Sequence, residues 1–269
     1  FDLDRDLPGP YRLRGVAGGE GRGRLAQVCD HGVDANEDPV MEMTQMSMLM
    51  ERAREFTLAS ALASYADTNL QEALAGLETT LGAHEGAGPL LAALRRQGGI
   101  EDVASAYIEL FDRGGERASL YESEYGRMRG MGKGNTLADI GGFYQAFGLT
   151  LDQEGIHELP DHIAVELEFY GLLLLKQEHL KDDEEGRFVV EDARRKFLTT
   201  HLGRFSRAIA EREDVRADPV YGPVFTWCWQ LVARECSDLG VDPAPLDFFA
   251  DKDGKEEMKC GPVHLPVIA

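Results

Sequence analysis

The residues best suited to chemistry lie in the segment Pro160-Asp161-His162 and in Glu166, one helical turn further along. An acid beside an imidazole can transfer protons, and a carboxylate can bind a guanidinium through two hydrogen bonds. Asp161 and His162 are adjacent in sequence, so their side chains diverge and do not by themselves form a Ser-His-Asp triad. The spacing allows His162 to hydrogen-bond to Glu166. The non-catalytic alternative is a helix cap that also locks a hinge.

A glycine-rich run around Gly132-Lys133 is similar to part of a phosphate-binding loop. The Walker pattern needs GxxxxGK followed by Ser or Thr. Here Arg127 stands where the first glycine belongs, and Gly134 follows the lysine. The run is more typical of an interhelical linker, although its amides and Lys133 could contact an anionic ligand.

Metal and hydrolase motifs are incomplete. A di-iron carboxylate site needs Glu-x-x-His from each of two helices, and the sequence offers one match, Glu154-Gly155-Ile156-His157, in a loop. Cys260 and His264 alone are too few for zinc, which takes four ligands or three and a water. No G-x-S-x-G motif occurs. We therefore expect neither catalytic residues nor a metal site, and keep a helical metal-dependent oxidase or a nucleotide-hydrolysing enzyme as the alternative.

The net charge of the chain limits the classes of partner that it can bind. The 269 residues carry a formal net charge of −20, with 43% hydrophobic residues. Such a surface repels the phosphates of nucleic acid and anionic lipid, and it attracts basic partners. No stretch reaches the roughly 18 apolar residues that span a bilayer. The sequence thus predicts no nucleic-acid partner and no membrane insertion.

The cysteines and the first residues favour the cytoplasm. Cys29, Cys228, Cys236 and Cys260 form no CxxC pair, which is typical of a reducing compartment, and the two central ones lie in an apolar segment that suggests burial. The first residues carry acids where a signal peptide would carry basic residues.

Helical spacing of apolar residues runs through most of the chain, and convincing period-two strands are absent. Glycine pairs and prolines separate the periodic segments. The predicted helices cover about 41–65, 69–77, 89–94, 101–111, 136–147, 160–180, 190–213 and 219–239.

These elements predict an all-α fold, a single helical domain of two packed helical groups joined by a Gly-rich linker. Residues 1–40 are expected to form an extended or poorly ordered N-terminal arm. The helical domain would cover 41–245, with hinges at 112–134 and 148–160, and a C-terminal tail would follow at 246–269.

Two expectations concern single positions. Pro160 should lie in the first turn of its helix, where its missing N–H has no partner to lose, and Asp161 should lie at the positive end of the helix dipole. His179 and His201 have no evident companion and are expected to be ordinary packing or solvent-facing histidines.

Five segments in chain order carry a resemblance to the TorD/DmsD/NarJ family of redox-enzyme maturation chaperones, over about residues 43–240. The Pro-Asp-His element with Glu-Leu-Glu-Phe is the most specific of them. The segments are Tyr107-Ile108-Glu109-Leu110-Phe111, Tyr121-Glu122-Ser123-Glu124-Tyr125, Leu137–Leu149, Leu159-Pro160-Asp161-His162 with Glu166-Leu167-Glu168-Phe169, and Phe197-Leu198-x-x-His201-Leu202.

The resemblance implies a cytoplasmic, non-enzymatic chaperone for the catalytic subunit of a molybdopterin enzyme of the DMSO reductase class. Such chaperones typically bind an N-terminal twin-arginine signal or its remnant and delay export until the cofactor is inserted. The implied partners are that subunit and its signal segment, with the oligomeric state left open. No tightly bound cofactor is expected, and the implied small-molecule contacts are transient ones with the molybdopterin cofactor or a guanine nucleotide.

The resemblance also implies roles for residues. Tyr107, Leu110 and Phe111 would form an apolar wall for the client peptide, with Tyr121 lining the same groove. Pro160, Asp161 and His162 would lie at the hinge and contact the peptide, and Gly134 is a looser match. A carboxylate can bind an arginine bidentately, which adds Asp161, Glu122 and Glu166 as acids at the lip of an apolar groove.

The sequence departs from the family pattern at its aromatic loop. That loop often carries prolines and a tryptophan, whereas Tyr121 and Glu122 stand here. The long tail is compatible with a subgroup that serves enzymes acting on hydrocarbons, sulfides, selenate or chlorate.

Overall fold

The computed structural model describes residues 13–15, 39–66, 88–96, 99–113, 118–126, 132–151 and 158–246. Helices dominate these ranges, which confirms the predicted all-α fold class. The helices described are α1 (Pro39–Leu62), α2 (Gly88–Leu94), α3 (Gly99–Tyr107), α4 (Lys133–Ala146), α5 (Ile163–His179), α6 (Glu184–Thr200), α7 (Leu202–Glu211), α8 (Glu213–Ala217) and α9 (Tyr221–Leu239).

Two short turns and one strand pair complete the described elements. A π-helical turn, Ile108–Asp112, continues α3, and a 3-10 turn, Glu122–Glu124, precedes α4. Strand β1 (Leu13–Gly15) pairs antiparallel with β2 (Leu149–Leu151). Strands of three residues are too short to show a period-two pattern, and the sequence did not predict this pair.

Helix α5 lies at the centre of the fold. Its residues from Ile163 to Leu175 are all buried, as expected of a helix that is apolar on nearly every side. Helix α1 packs along it more extensively than any other two described elements pack together. Gly171 allows this approach, because a Cβ there would lie 3.3 Å from the carbonyl oxygen of Ala53 and from Cβ of Phe56. The acids that α5 carries are therefore drawn into the core.

A buried ionic network joins four helices around Glu235 of α9. Its carboxylate accepts hydrogen bonds from Arg52 Nη1 of α1 (3.1 Å), from Tyr170 Oη of α5 (3.0 Å) and from Arg194 Nη2 of α6. Glu235 and Tyr170 are fully buried. A buried charge is tolerated when it is both paired and hydrogen-bonded, so this network is expected to fix how the four helices pack.

The predicted helix over 190–213 is wrong in one respect, because the structure divides it into α6 and α7. His201 separates them with φ −127° and ψ −97°, outside the helical region. Gly203 is required just after the break, since a Cβ there would overlap the carbonyl oxygen of Leu198. Both helices bury apolar residues in the same core, so the periodicity continues across the break and conceals it.

The central cysteines behave as predicted. Cys228 and Cys236 are free and buried. Burial raises the pKa of the Cys228 thiol to about 12, which keeps this group protonated and unreactive. Cys29 and Cys260 lie outside the described residues.

Several other predictions fall wholly or partly outside the described residues. The predicted helix at 69–77 does so entirely, as do most of the arm and the tail. The Gly-rich linker between two helical groups stays a prediction, since 114–117 and 127–131 are not described. Among the helices that the structure describes, none combines the length and apolar character that crossing a bilayer requires.

Glu235→Ala is expected to lower the free energy of unfolding by about 3–5 kcal/mol, because it leaves the buried guanidinium of Arg194 without its acid. The matched control is Glu191→Ala, which removes an exposed ion pair with Arg195 (2.8 Å) one turn apart on α6. The control should change stability by less than about 0.5 kcal/mol. Urea denaturation measures both effects, and equal losses in the two variants would contradict a special role for the buried network.

Candidate functional site

An isolated antiparallel bridge between Tyr121 and His162 brings the predicted site segments together. The Glu122 N–H donates to the carbonyl of Asp161 (2.9 Å), and the Ile163 N–H donates to the carbonyl of Leu120 (2.9 Å). The aromatic ring of Tyr121 packs edge-on against the imidazole of His162, with ring centroids 5.1 Å apart. The loop at 118–126 is therefore fixed to the start of α5 by backbone as well as side chains.

The start of α5 differs from the sequence prediction. The His162 N–H donates to the Leu159 carbonyl (3.1 Å), which closes a turn with Pro160 at its second position, where proline is favoured. Helix α5 begins only at Ile163, and His162 caps it by accepting the Ala164 N–H at Nδ1 (3.2 Å). The prediction that Pro160 lies in the first helical turn is therefore wrong. The bridge to Tyr121 needs an extended backbone at His162, so the helix cannot begin before Ile163.

Three acids, Glu122, Asp161 and Glu166, form what we call the buried acid cluster. Asp161 and Glu166 are fully buried and Glu122 nearly so, so they lie beneath the surface and not at an exposed lip. Oδ2 of Asp161 accepts the Ser123 N–H (3.0 Å), which ties the loop down again. Among the described residues, Oδ1 of Asp161, Oγ of Ser123 and both carboxyl oxygens of Glu166 have no hydrogen-bond partner. The side-chain hydrogen bond that the spacing allows between His162 and the Glu166 carboxyl is accordingly not formed.

The surroundings of Glu166 favour its neutral form over its charged form. Burial raises its pKa well above the usual range, and the neighbouring carboxylates of Glu122 and Asp161 raise it further. Tyr144 closes the cluster from α4, donating through Oη to the carbonyl of Pro160 (2.7 Å). Burial raises the pKa of Tyr144 as well. A protonated carboxyl is the form that a site with so few donors can accommodate.

His201 links the cluster to two other elements, a role that the sequence prediction missed. Its Nδ1 lies 2.8 Å from Oε2 of Glu122, and its Nε2 lies 3.2 Å from Oδ2 of Asp139 on α4. Only a doubly protonated ring can donate to both carboxylates. The available signal was a histidine among core residues in Phe197-Leu198-x-x-His201-Leu202, because a buried imidazole needs polar partners.

The predicted apolar wall belongs to an aromatic cluster beside the bridge. Tyr107 Oη lies 3.5 Å from Nε2 of His162. The ring of Phe111 packs edge-on against Tyr107, with centroids 5.2 Å apart, and also contacts Tyr221 and Phe225. Tyr107 and the neighbouring Leu110 are buried, so most of this wall supports the surface from below.

An accessible patch overlies these residues, and we call it the Tyr121 surface. Tyr121 donates through Oη to Oε2 of Glu158 (2.6 Å), whose side chain is 22% exposed. Burial and this bond raise the pKa of Tyr121. Tyr65 is exposed and packs edge-on against the supporting ring of Tyr107, with centroids 5.5 Å apart. Leu159 follows Glu158 in the chain and is also exposed. The Tyr121 surface comprises Tyr65, Tyr121, Glu158 and Leu159.

Gly134 makes no close contact that a side chain at its position would disturb. It is exposed in the first turn of α4, and no heavy atom lies within 4 Å of the position that its Cβ would take. Within the described part of the chain, no group of three or more His, Cys, Asp or Glu side chains is arranged to hold a metal ion.

The sequence that builds this helical fold is similar to that of a known class of protein. The chain belongs to the nitrate reductase delta subunit family, whose model matches residues 63–211. This confirms the predicted membership in the redox-enzyme maturation chaperones and the expectation of a chaperone that is not an enzyme.

Individual relatives have more specific names than the family. The chain is 32% identical over 151 residues to the chlorate reductase assembly chaperone protein of Ideonella dechloratans, covering 54% of this chain and 74% of that one. It is 31% identical over 153 residues to the selenate reductase assembly chaperone protein of Thauera selenatis, covering 54% and 75%. A perchlorate reductase assembly chaperone protein of Dechloromonas aromatica (strain RCB) is 30% identical over 105 residues, covering 38% and 46%.

Glu166→Gln is expected to flatten the dependence of stability on pH. In the unfolded chain Glu166 titrates near its ordinary value of 4.5, whereas burial raises its pKa in the folded state. Between these two values the folded state binds more protons, so the stability that this group contributes is lost as pH rises. The variant should lie within about 1 kcal/mol of the wild type at pH 4.5 and become increasingly more stable than it at higher pH.

Urea denaturation at intervals from pH 4.5 to pH 8 provides the measurement. Glu178→Gln is the control, because Glu178 lies on the same helix but is only partly buried, with a smaller rise in pKa. Parallel pH profiles for the wild type and the Glu166→Gln variant would show that Glu166 is ionised in the folded protein.

Proposed function

We propose that this protein is a cytoplasmic assembly chaperone for the catalytic subunit of a molybdopterin enzyme of the DMSO reductase class. It would bind the N-terminal twin-arginine segment of that subunit and delay export until the cofactor is inserted. The proposal includes no tightly bound cofactor, only transient contact with the molybdopterin cofactor or a guanine nucleotide. Support comes from the relatives named as chaperones of chlorate, selenate and perchlorate reductases.

The Tyr121 surface is the observation that carries the peptide-binding part of the proposal. A twin-arginine segment has two guanidinium groups followed by an apolar stretch. The Glu158 carboxylate can accept a guanidinium bidentately, and it is already positioned by the hydroxyl of Tyr121. The exposed side chains of Tyr65 and Leu159 offer apolar contact to the rest of the segment.

The buried residues would act mainly by holding this surface in place. The backbone bridge and the bond from the Ser123 N–H to Asp161 fix the loop that carries Tyr121. Glu122 connects the same loop to His201 at the junction of α6 and α7. A surface fixed before binding loses less conformational entropy when the peptide docks. The net charge of −20 would further accelerate encounter with a basic segment.

Glu158→Gln is expected to weaken binding of a synthetic peptide with two adjacent arginines and a leucine-rich stretch by about tenfold, or ~1.4 kcal/mol. The physical reason is the loss of a charge-assisted hydrogen bond. Tyr121→Ala should weaken binding at least as much, because it removes both the ring and the hydroxyl that orients Glu158. Fluorescence anisotropy of the labelled peptide measures the Kd of each variant.

The control for this experiment is Glu191→Gln, an exposed acid on α6 that is paired with Arg195. Its Kd should equal that of the wild type. A wild-type protein that shows no saturable binding would contradict the proposed function. Binding that is unchanged in both surface variants would place the peptide elsewhere.

A further inference from the structure

Four buried polar oxygen atoms without hydrogen-bond partners lie in one small region below the Tyr121 surface. They belong to Asp161 (Oδ1), Glu166 (Oε1 and Oε2) and Ser123 (Oγ). Buried polar atoms of a folded protein are nearly always hydrogen-bonded, so each exception needs an explanation. All four can accept hydrogen bonds when Glu166 is ionised, and three belong to carboxyl groups. The complementary ligand is a compact cation with several N–H donors, and a guanidinium group has five.

We propose that Glu166 and Oδ1 of Asp161 form a buried subsite for one client guanidinium, and that occupation of this subsite releases the proton of Glu166. This inference rests on the proposed function. Of two adjacent client arginines, one would pair with Glu158 at the surface. The other would enter beside the Tyr121–His162 bridge, which covers the cluster with two backbone hydrogen bonds.

The release of a proton follows from the surroundings of Glu166. The 3-10 turn presents Glu122 to it, the turn before α5 presents Asp161, and α4 presents the hydroxyl of Tyr144. None of these groups is cationic, and Glu122 itself faces His201. An ionised Glu166 would therefore be a third negative charge without a donor, which burial strongly disfavours. A guanidinium supplies both the donors and the opposite charge, so the carboxyl ionises and its proton passes to solvent.

Isothermal titration calorimetry tests this inference with the twin-arginine peptide in two buffers of different ionisation enthalpy at pH 7. The difference in observed enthalpy gives the number of protons released per peptide bound. For the wild type we expect a release approaching one proton, and an affinity that rises by up to about tenfold per pH unit. For Glu166→Gln we expect binding with a much smaller release and a flatter pH profile. Glu178→Gln, on the same helix, should behave as the wild type.

Citrulline supplies a matched change on the peptide, since it keeps the shape of arginine without its charge. Replacing one of the two arginines should abolish proton release, whereas replacing the other should weaken binding and leave the release intact. Equal release with either replacement would overturn the assignment of a single buried subsite.

The outcomes separate this inference from the proposed function. Saturable binding without proton release, or equal release by the wild type and Glu166→Gln, would overturn the inference and leave the chaperone proposal standing. No binding of the peptide by the wild type would overturn both. The wild-type pH profile tests the inference without any variant, because an affinity that does not increase with pH contradicts it.

Discussion

The complete burial of α5 from Ile163 to Leu175 is the constraint on which the rest of the structure depends. The helix carries Glu166 and Glu168 among apolar residues, so burying it takes both acids into the interior. Glu168 accepts the Leu13 N–H (3.0 Å) and thereby ties strand β1 to the core. Glu166 has no hydrogen-bond donor among the described residues, and burial raises its pKa. The interior therefore disfavours a negative charge on Glu166 for as long as its surroundings stay the same.

The residues around this acid connect the core with the surface. Asp161 holds the loop through the Ser123 N–H, and that loop presents Tyr121 beside Glu158. His201 reaches the same loop through Glu122, at the point where α6 gives way to α7. These shared contacts connect the buried acids to the loop that carries Tyr121. Under the proposed function, they would hold the surface in place for a basic segment.

Some residues of the site were predicted from the sequence and others were missed, for physical reasons that differ from residue to residue. The grouping of Tyr121 with His162 followed from the family resemblance, and the structure joins them by a bridge. Glu158 was missed, because it stands just before the recognisable motif and acquires its role only through the Tyr121 hydroxyl. His201 was missed because its two acidic partners are 62 and 79 residues away. Gly134 was matched by pattern alone and is exposed on α4.

The sequence by itself determined those structural features that depend on residues three or four positions apart in the chain. The all-helical class and the burial of the thiols at Cys228 and Cys236 follow from local apolar spacing, which fixes the face of a helix that leaves water. Only the tertiary structure decided that α5 begins at Ile163, that the chain breaks at His201, and that Glu166 has no donor. Those outcomes depend on which elements meet, and periodicity along one segment carries no information about its partners.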